Sequence, residues 1–218
     1  MPGVGYTSRF REAVRLTTFV TGAPRAASHA HRVNEEAVIA RARTGDQQAF
    51  AQLIGRYKHM VYTTVHRVLR NREEAEEATQ DAFVKVYQHL AGYQGDSKFS
   101  TWLFSIAYRT AISRLRARKD AGVALDDLAG REPAHDAPDG TGRSDRQRAL
   151  DKALRSLPPE DAALVGFFYL EELSVEEIVT ATGLSASNVK VKLFRIRKRL
   201  FELLHQQLKE ETWTLLAD

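Results

Sequence analysis

The sequence predicts an all-α protein with two small helical domains joined by a flexible linker. Apolar residues recur at spacings of three and four along residues 34–119 and again along residues 146–209, a period typical of helices. Between these blocks, residues 120–145 are rich in glycine and proline and hold seven acids and two bases, with few large apolar side chains. A chain of 218 residues, 43% of them hydrophobic, is long enough to bury two small cores.

The composition excludes several classes of protein. The chain has no cysteine, which excludes disulfides and thiolate metal sites. Its longest apolar run, residues 162–170, has nine residues, whereas a membrane span needs about 20. No stretch near the start has the apolar core of a secretory signal. The sequence therefore predicts a soluble, cytoplasmic protein without membrane insertion.

The sequence shows no pattern of a catalytic site. Its seven histidines are scattered, and His59 and His66 lack the carboxylate spacing of helical metal sites. It has neither a glycine-rich phosphate loop nor a nucleophile elbow. We therefore expect no enzyme activity, no metal, no cofactor and no small-molecule substrate.

The first helical domain, residues 34–119, follows a segment without a sustained period. Residues 1–33 hold five arginines and one acid, and we expect them to form a flexible basic tail. The apolar spacing from Val38 to Tyr57 predicts helix broken by a turn at residues 44–46. Further helices are predicted over residues 61–69, 73–90 and 100–118, with a loop at residues 92–97.

The second domain, residues 146–209, carries the signature of a helix-turn-helix. A proline within residues 158–160 suits the first turn of a helix, and the core of that helix is predicted to include Ala163, Leu164, Phe167, Phe168 and Leu170. Residues 174–177 form a capping box, residues 182–184 a tight glycine turn, and Ser185 caps a longer helix. This order matches the helix-turn-helix of DNA-binding proteins. Residues 210–218 are a predicted C-terminal tail.

The last long helix has two different faces when its residues are placed at 100° intervals. One arc collects the apolar residues Val189, Leu193, Ile196 and Leu200 and is the predicted buried face. The opposite arc collects Ser187, Lys190, Val191, Phe194, Arg195 and Lys198. Cations that meet phosphates or guanine, beside apolar groups that meet thymine methyls, suit the major groove of DNA. The alternative is that Phe194 packs on a neighbouring helix.

Charge is clustered along the chain. Residues 105–119 and 185–200 carry five and six cations without an acid, whereas residues 72–81 carry five acids and one base. This distribution predicts a polyanionic partner at two places and a different partner at a third. The alternative is that each run is a solvated helix face.

The fourth predicted helix combines aromatic and basic residues. One stripe contains Trp102, Ser105, Arg109, Ser113 and Arg116. Aromatic side chains beside cations form a stacking platform of the kind that holds single-stranded nucleic acid. The alternative is that Phe99 and Trp102 are ordinary core aromatics.

In these stretches the chain resembles the extracytoplasmic-function group of bacterial RNA polymerase sigma factors, which belong to the sigma-70 family. The matching motifs occur in the order of the family at residues 76–87, 95–103, 157–160, 173–178 and 189–197. The resemblance implies a region-2-like domain over residues 34–119 and a region-4-like domain over residues 146–209. It implies core RNA polymerase, promoter DNA and an anti-sigma factor as partners.

The resemblance also assigns roles by position. It implies that Gln80, Asp81 and Phe83 bind core polymerase. It implies that a second set of residues captures an extruded base of the −10 element and begins strand opening: Tyr93, Asp96, Ser97, Lys98, Phe99, Trp102 and Arg109. It implies that a third set of residues contacts the −35 element: Ser187, Asn188, Lys190, Val191, Phe194, Arg195 and Lys198. Arg109 departs from the family, where asparagine is usual, so the −10 specificity of relatives does not transfer.

Two other functions compete with this interpretation. A stand-alone helix-turn-helix repressor would need a dimerisation seam and gives no role to the acidic helix. A sigma-like decoy that only sequesters an anti-sigma factor would not need the six cations of the last helix.

Overall fold

The structure of the protein, a computed structural model, describes residues 29–121 and 152–215. These residues contain helices and no strand, which confirms the predicted all-α class. They divide into two compact units, with residues 29–121 in one and most of residues 152–215 in the other. The rest of the predicted N-terminal tail, residues 1–28, and nearly all of the predicted linker lie outside the described residues.

The N-terminal unit has four α-helices around one core. They are α1 (His29–Arg43), α2 (Gln47–Leu69), α3 (Arg72–His89) and α4 (Phe99–Asp120), and a 3-10 turn (Leu90–Gly92) follows α3. Helix α2 packs against the other three, and α3 packs against α4. Fully buried side chains from α2, α3 and α4 fill the centre, among them Leu53, Val61, Val65, Ala78, Ala82, Leu103 and Ala107.

Side-chain caps fix where the helices of this unit begin. The Asp46 Oδ1 accepts a hydrogen bond from the Ala49 amide at 3.0 Å, and the same carboxylate accepts from Arg41. The Asn71 Oδ1 accepts from the Glu74 amide at 2.8 Å. Each bond satisfies a donor that the first turn of a helix leaves unpaired. The predicted turn at residues 44–46 is confirmed, since it separates α1 from α2.

Three predicted boundaries differ from the structure. The helix predicted over residues 61–69 is the second half of α2, which continues through Lys58 and His59 because both lie on its exposed face and neither breaks a helix. Helix α1 begins at His29, so residues 29–33 are helical and do not belong to a tail. Helix α4 ends at Asp120, so the first residue of the predicted linker is helical.

Residues 152–215 contain the predicted helix-turn-helix. Residues 152–155 are helical and are followed by α5 (Pro159–Val165), which passes into a π-helical turn (Gly166–Leu170), then by α6 (Val175–Thr182) and α7 (Ala186–Leu215). Helix α5 packs against α7, and the Lys192 Nζ of α7 donates to the Asp161 Oδ1 of α5 at 3.0 Å. Helix α7 runs past residue 209, where the predicted domain ended.

The prediction of which α5 residues are buried is partly wrong. Ala163, Leu164 and Phe167 are buried as expected, but Phe168 and Leu170 are only half-buried. Tyr169 is buried instead. The π-helical turn has more residues per turn than an α-helix, so the spacing that holds for α-helices points to the wrong residues here. None of the helices in the described ranges combines the length and apolar character that a membrane span requires.

Candidate nucleic-acid interface

Side-chain hydrogen bonds cap the start of each helix of the helix-turn-helix. The Glu177 Oε2 accepts from the Ser174 amide at 2.9 Å, while the Ser174 Oγ accepts from the Glu177 amide at 3.1 Å. This is the predicted capping box. Gly183 has a φ of +76°, which favours glycine in the turn. The Ser185 Oγ then accepts from the Asn188 amide at 3.3 Å and caps α7.

Helix α7 has the two predicted faces. Val189, Leu193, Ile196 and Leu200 are all buried. The residues of the opposite arc are all exposed, as is the neighbouring Asn188: Ser187, Lys190, Val191, Phe194, Arg195 and Lys198. The Phe194 side chain is 65% exposed, so the alternative that it packs on a neighbouring helix is wrong.

The six cations of residues 186–200 are not equally exposed. Lys192 is paired with Asp161, and the Arg197 Nε donates to the Leu193 carbonyl at 3.2 Å. The remaining four are exposed on the solvent side of the helix: Lys190, Arg195, Lys198 and Arg199. An exposed aromatic ring among exposed cations is the arrangement that contacts phosphates and base edges together.

The loop after the 3-10 turn has a defined shape. The Tyr93 Oη donates to the Ser97 carbonyl at 2.7 Å and closes the loop over residues 93–97. Gly95, at the tip, has a φ of +86°, a conformation that side chains disfavour. Asp96 and Lys98 are exposed and Ser97 is half-buried. The loop therefore presents one acid and one cation beside its backbone.

The aromatic residues next to the loop have unequal exposure. Phe99 is 4% exposed, so the alternative of a core aromatic holds for it. Trp102 is half-buried, and its ring lies 5.6 Å from that of Phe99 and 5.3 Å from that of Tyr93. Of the predicted stripe, Ser105 is buried and donates to the Trp102 carbonyl at 2.7 Å. Arg109, Ser113 and Arg116 are exposed and continue the stripe from Trp102.

The acidic helix α3 is partly neutralised within the molecule. Arg114 of α4 contacts Glu77 at 3.1 Å and also pairs with Asp81. Arg118, 9% exposed, contacts Glu74 at 3.3 Å. Two of the five cations in the basic run of α4 therefore bind α3, which corrects the prediction that the whole run faces a polyanion.

The three residues predicted to bind polymerase do not share one surface. Gln80 and Asp81 are exposed, but Phe83 is 8% exposed and belongs to the core. Sequence reasoning missed Val84 and Tyr87, which are 55% and 50% exposed. Val84 and Tyr87 follow Gln80 by four and seven residues, so the three lie on one face of α3. This helical spacing could have predicted that all three share a surface.

Within the described ranges, no group of three or more metal-binding side chains is placed to hold an ion. The two helical units and the helix-turn-helix define the class: a DNA-binding protein. Residues 53–121 match the family Sigma-70 region 2, and residues 147–200 match Sigma-70, region 4.

The matches to curated relatives extend over nearly the whole length of those relatives. The ECF RNA polymerase sigma factor SigW of Bacillus subtilis (strain 168) is 30% identical over 182 residues, which are 79% of this chain and 95% of SigW. The RNA polymerase sigma-H factor of Pseudomonas aeruginosa is 28% identical over 186 residues, 81% of this chain and 96% of that protein. The chain belongs to the ECF RNA polymerase sigma factors. It is a transcription initiation factor that works with core RNA polymerase at promoter DNA.

Solved structures share the fold. The sigma factor RpoE from Bartonella quintana, in complex with the anti-sigma factor NepR, has a TM-score of 0.59 and 23% identity. The match covers 72% of this chain and 96% of that one. CnrH, in complex with the cytosolic domain of CnrY, has a TM-score of 0.56 and 22% identity, over 79% of this chain and 97% of that one.

Proposed function

We propose that the outward face of α7 reads the −35 element. The observation that carries the proposal is the exposure of Phe194 between Lys190 and Arg195, on the face opposite the buried leucines. Ser187 and Asn188, at the start of α7, would contact phosphates, because backbone amides at a helix N-terminus favour anions. Val191 and Phe194 would meet thymine methyls while Lys190, Arg195 and Lys198 meet phosphates or base edges.

In the same proposal, the loop of residues 93–98 and the stripe from Trp102 to Arg116 hold the opened −10 strand. The Trp102 ring is only half-buried, and the exposed Arg109 and Arg116 follow it along one side of α4. Base–aromatic stacking with a cationic track retains single strands. The captured bases offset an unstacking cost of a few kcal/mol. Phe99 supports this surface from the core and does not itself stack on a base.

Gln80, Asp81, Val84 and Tyr87 are proposed to bind core polymerase. Exposed valine and tyrosine beside polar side chains form a mixed surface on α3, and aromatic residues are enriched in protein interfaces. Two modest DNA contacts gain effective concentration once both units are docked on one polymerase. We propose that the chain catalyses no reaction itself and acts in the cytoplasm.

Regulation by an anti-sigma factor is a further part of the proposal. It is supported by RpoE, a protein of the same fold that was solved in complex with the anti-sigma factor NepR. A pull-down of the full chain from its native cell is expected to recover such a protein. Recovery of core polymerase alone would count against this regulation.

Transcription by the reconstituted holoenzyme tests the division of labour. Arg195→Ala is expected to lose −35-dependent transcription and to retain affinity for core polymerase. Lys152→Ala removes an exposed cation of the same unit that lies outside α7 and is the matched control. Equal loss of transcription and of core binding in Arg195→Ala would contradict the proposal. Absence of any promoter-dependent product with the wild-type chain would favour the decoy.

A further inference from the structure

Four aromatic rings form one cluster beneath the loop of residues 93–98. Phe99 is at its centre: its ring centroid lies 5.5 Å from Tyr57, 5.4 Å from Tyr93 and 5.6 Å from Trp102. The Tyr93 and Trp102 rings are 5.3 Å apart. Offset and edge-to-face pairs at these distances stabilise one another beyond the area they bury. Since Phe99 contacts each of the other three rings, a shift of Phe99 disturbs all of them.

The cluster is connected to the loop through Tyr93. Its hydroxyl donates to the Ser97 carbonyl at 2.7 Å, so the position of the Tyr93 ring sets the shape of the loop backbone. The same ring contacts Trp102, the half-buried aromatic on the proposed −10 surface. Loop shape and Trp102 orientation thus depend on a single group of packed rings.

The other end of the cluster is held by α1. The Tyr57 hydroxyl donates to the Glu35 Oε1, which also accepts from the Arg56 Nη1 at 3.1 Å. Burial and the hydrogen bond with Glu35 raise the pKa of Tyr57 well above its ordinary value, so its hydroxyl keeps its proton and remains a donor. A second contact joins α1 to the turn before the loop, from the Arg43 Nη2 to the Ala91 carbonyl at 3.4 Å.

We infer that Glu35 and Tyr57 are positioning residues for −10 recognition: they fix the aromatic cluster, and through it the loop and Trp102, in the conformation that captures an extruded base. The inference rests on the proposed role of the loop and adds to it a contribution from α1. Neither residue contacts DNA in this scheme. Each acts through Phe99 and Tyr93, and the loop is shaped before DNA arrives.

The experiment measures capture of a single-stranded −10 probe by the reconstituted holoenzyme. The probe is the best hexadeoxynucleotide selected by the wild-type holoenzyme from a fully randomised single-stranded pool. Tyr57→Phe keeps the ring and removes the hydroxyl, and Glu35→Ala removes the acceptor. Each is expected to weaken probe binding about threefold to tenfold, the effect of one lost hydrogen bond. Affinity for core polymerase is expected to stay unchanged.

Two further variants separate positioning from general loss of structure. Glu35→Gln keeps an acceptor oxygen for Tyr57 and is expected to bind the probe nearly as the wild type does. The double variant Tyr57→Phe/Glu35→Ala is expected to bind the probe no more weakly than Glu35→Ala does, because Glu35→Ala already removes the bond that Tyr57→Phe removes. Glu36→Gln alters the exposed neighbour of Glu35 and is the matched control.

Two results would overturn the inference while leaving the proposed function intact. One is wild-type probe affinity in both Tyr57→Phe and Glu35→Ala. The other is a parallel fall of probe affinity, core affinity and thermal stability, which would show a merely structural role. A wild-type holoenzyme that selects no sequence from the pool would instead reject the proposed role of the loop, and the inference with it.

Discussion

Arg114 of α4 forms an ion pair with Asp81 of α3, and the same guanidinium contacts the Glu77 carboxylate at 3.1 Å. One cation of the basic helix therefore neutralises two acids of the acidic helix. Asp81 is also exposed and lies on the surface proposed to bind core polymerase. A cation of the polymerase that approaches Asp81 has to compete with Arg114.

Removal of Arg114 is therefore expected to strengthen core binding. Arg114→Ala leaves Asp81 and Glu77 unpaired, and we expect the affinity for core polymerase to rise about twofold to fivefold, since each exposed pair is worth about 0.2–1 kcal/mol. Competition binding with labelled wild-type chain measures the change. Arg72→Ala, which removes the exposed pair with Glu76, is the control. Weaker core binding by Arg114→Ala would show that Asp81 needs Arg114 in the complex.

The cap at Asn71 is expected to matter for stability alone. Asn71→Ala removes the acceptor for the Glu74 amide and is expected to lower the free energy of unfolding of the N-terminal unit by about 0.5–2 kcal/mol. Thermal denaturation followed by circular dichroism measures this change. Gln88→Ala, at an exposed position of the same helix, is expected to have little effect. An unchanged Tm for Asn71→Ala would mean that water replaces the cap without cost.

Asp46 makes stability depend on pH. The Ala49 amide, and after it Arg41, hold the pKa of the Asp46 carboxyl below its usual value. A carboxyl with a lowered pKa in the folded state stabilises the protein above its unfolded pKa, about 3.9, and this contribution is lost as the pH falls through the folded pKa. Asp46→Asn keeps a capping oxygen and is expected to lose less stability than the wild type between pH 5 and pH 2.

Urea midpoints across that pH range measure the difference. Asp96, an exposed carboxyl in the loop, offers the control variant Asp96→Asn. Parallel wild-type and Asp46→Asn curves would contradict the assignment.

Two phenylalanines of the C-terminal unit are expected to behave in opposite ways. Phe194→Ala removes a ring that is mostly in solvent, so thermal stability is expected to remain while promoter binding falls. Phe167 is buried, and Phe167→Ala is expected to cost about 3–5 kcal/mol of stability. Thermal melting and promoter binding by the holoenzyme separate the two effects. A large loss of stability in Phe194→Ala would show that its ring is packed.

Local patterns were sufficient for much of the fold. The capping box at Ser174, the glycine turn at Gly183 and the buried arc of α7 each depend on residues a few positions apart, and all were predicted. The π-helical turn was missed because its wider period places Tyr169 inside and Phe168 at the edge. Helix α2 was predicted as two pieces, although Tyr57 and Val61 are four residues apart and continue the helical spacing.

Prediction of the candidate site was limited more strongly by tertiary contacts. The outward face of α7 follows from spacing alone, so its exposed residues were predicted. The pairing of Arg114 with Asp81 depends on how α3 packs against α4. Spacing along one helix gives no information on that packing. The bond between Glu35 and Tyr57 joins residues of two helices and was invisible for the same reason.

Promoter selection tests the central claim most directly. Reconstituted holoenzymes containing the wild-type chain or Arg195→Ala are each used to select double-stranded promoters from a pool randomised at both elements. We predict that Arg195→Ala loses the base preference at one or two −35 positions and keeps the −10 preference of the wild type. An unchanged −35 preference, or a loss confined to the −10 element, would contradict the claim that the outward face of α7 reads DNA.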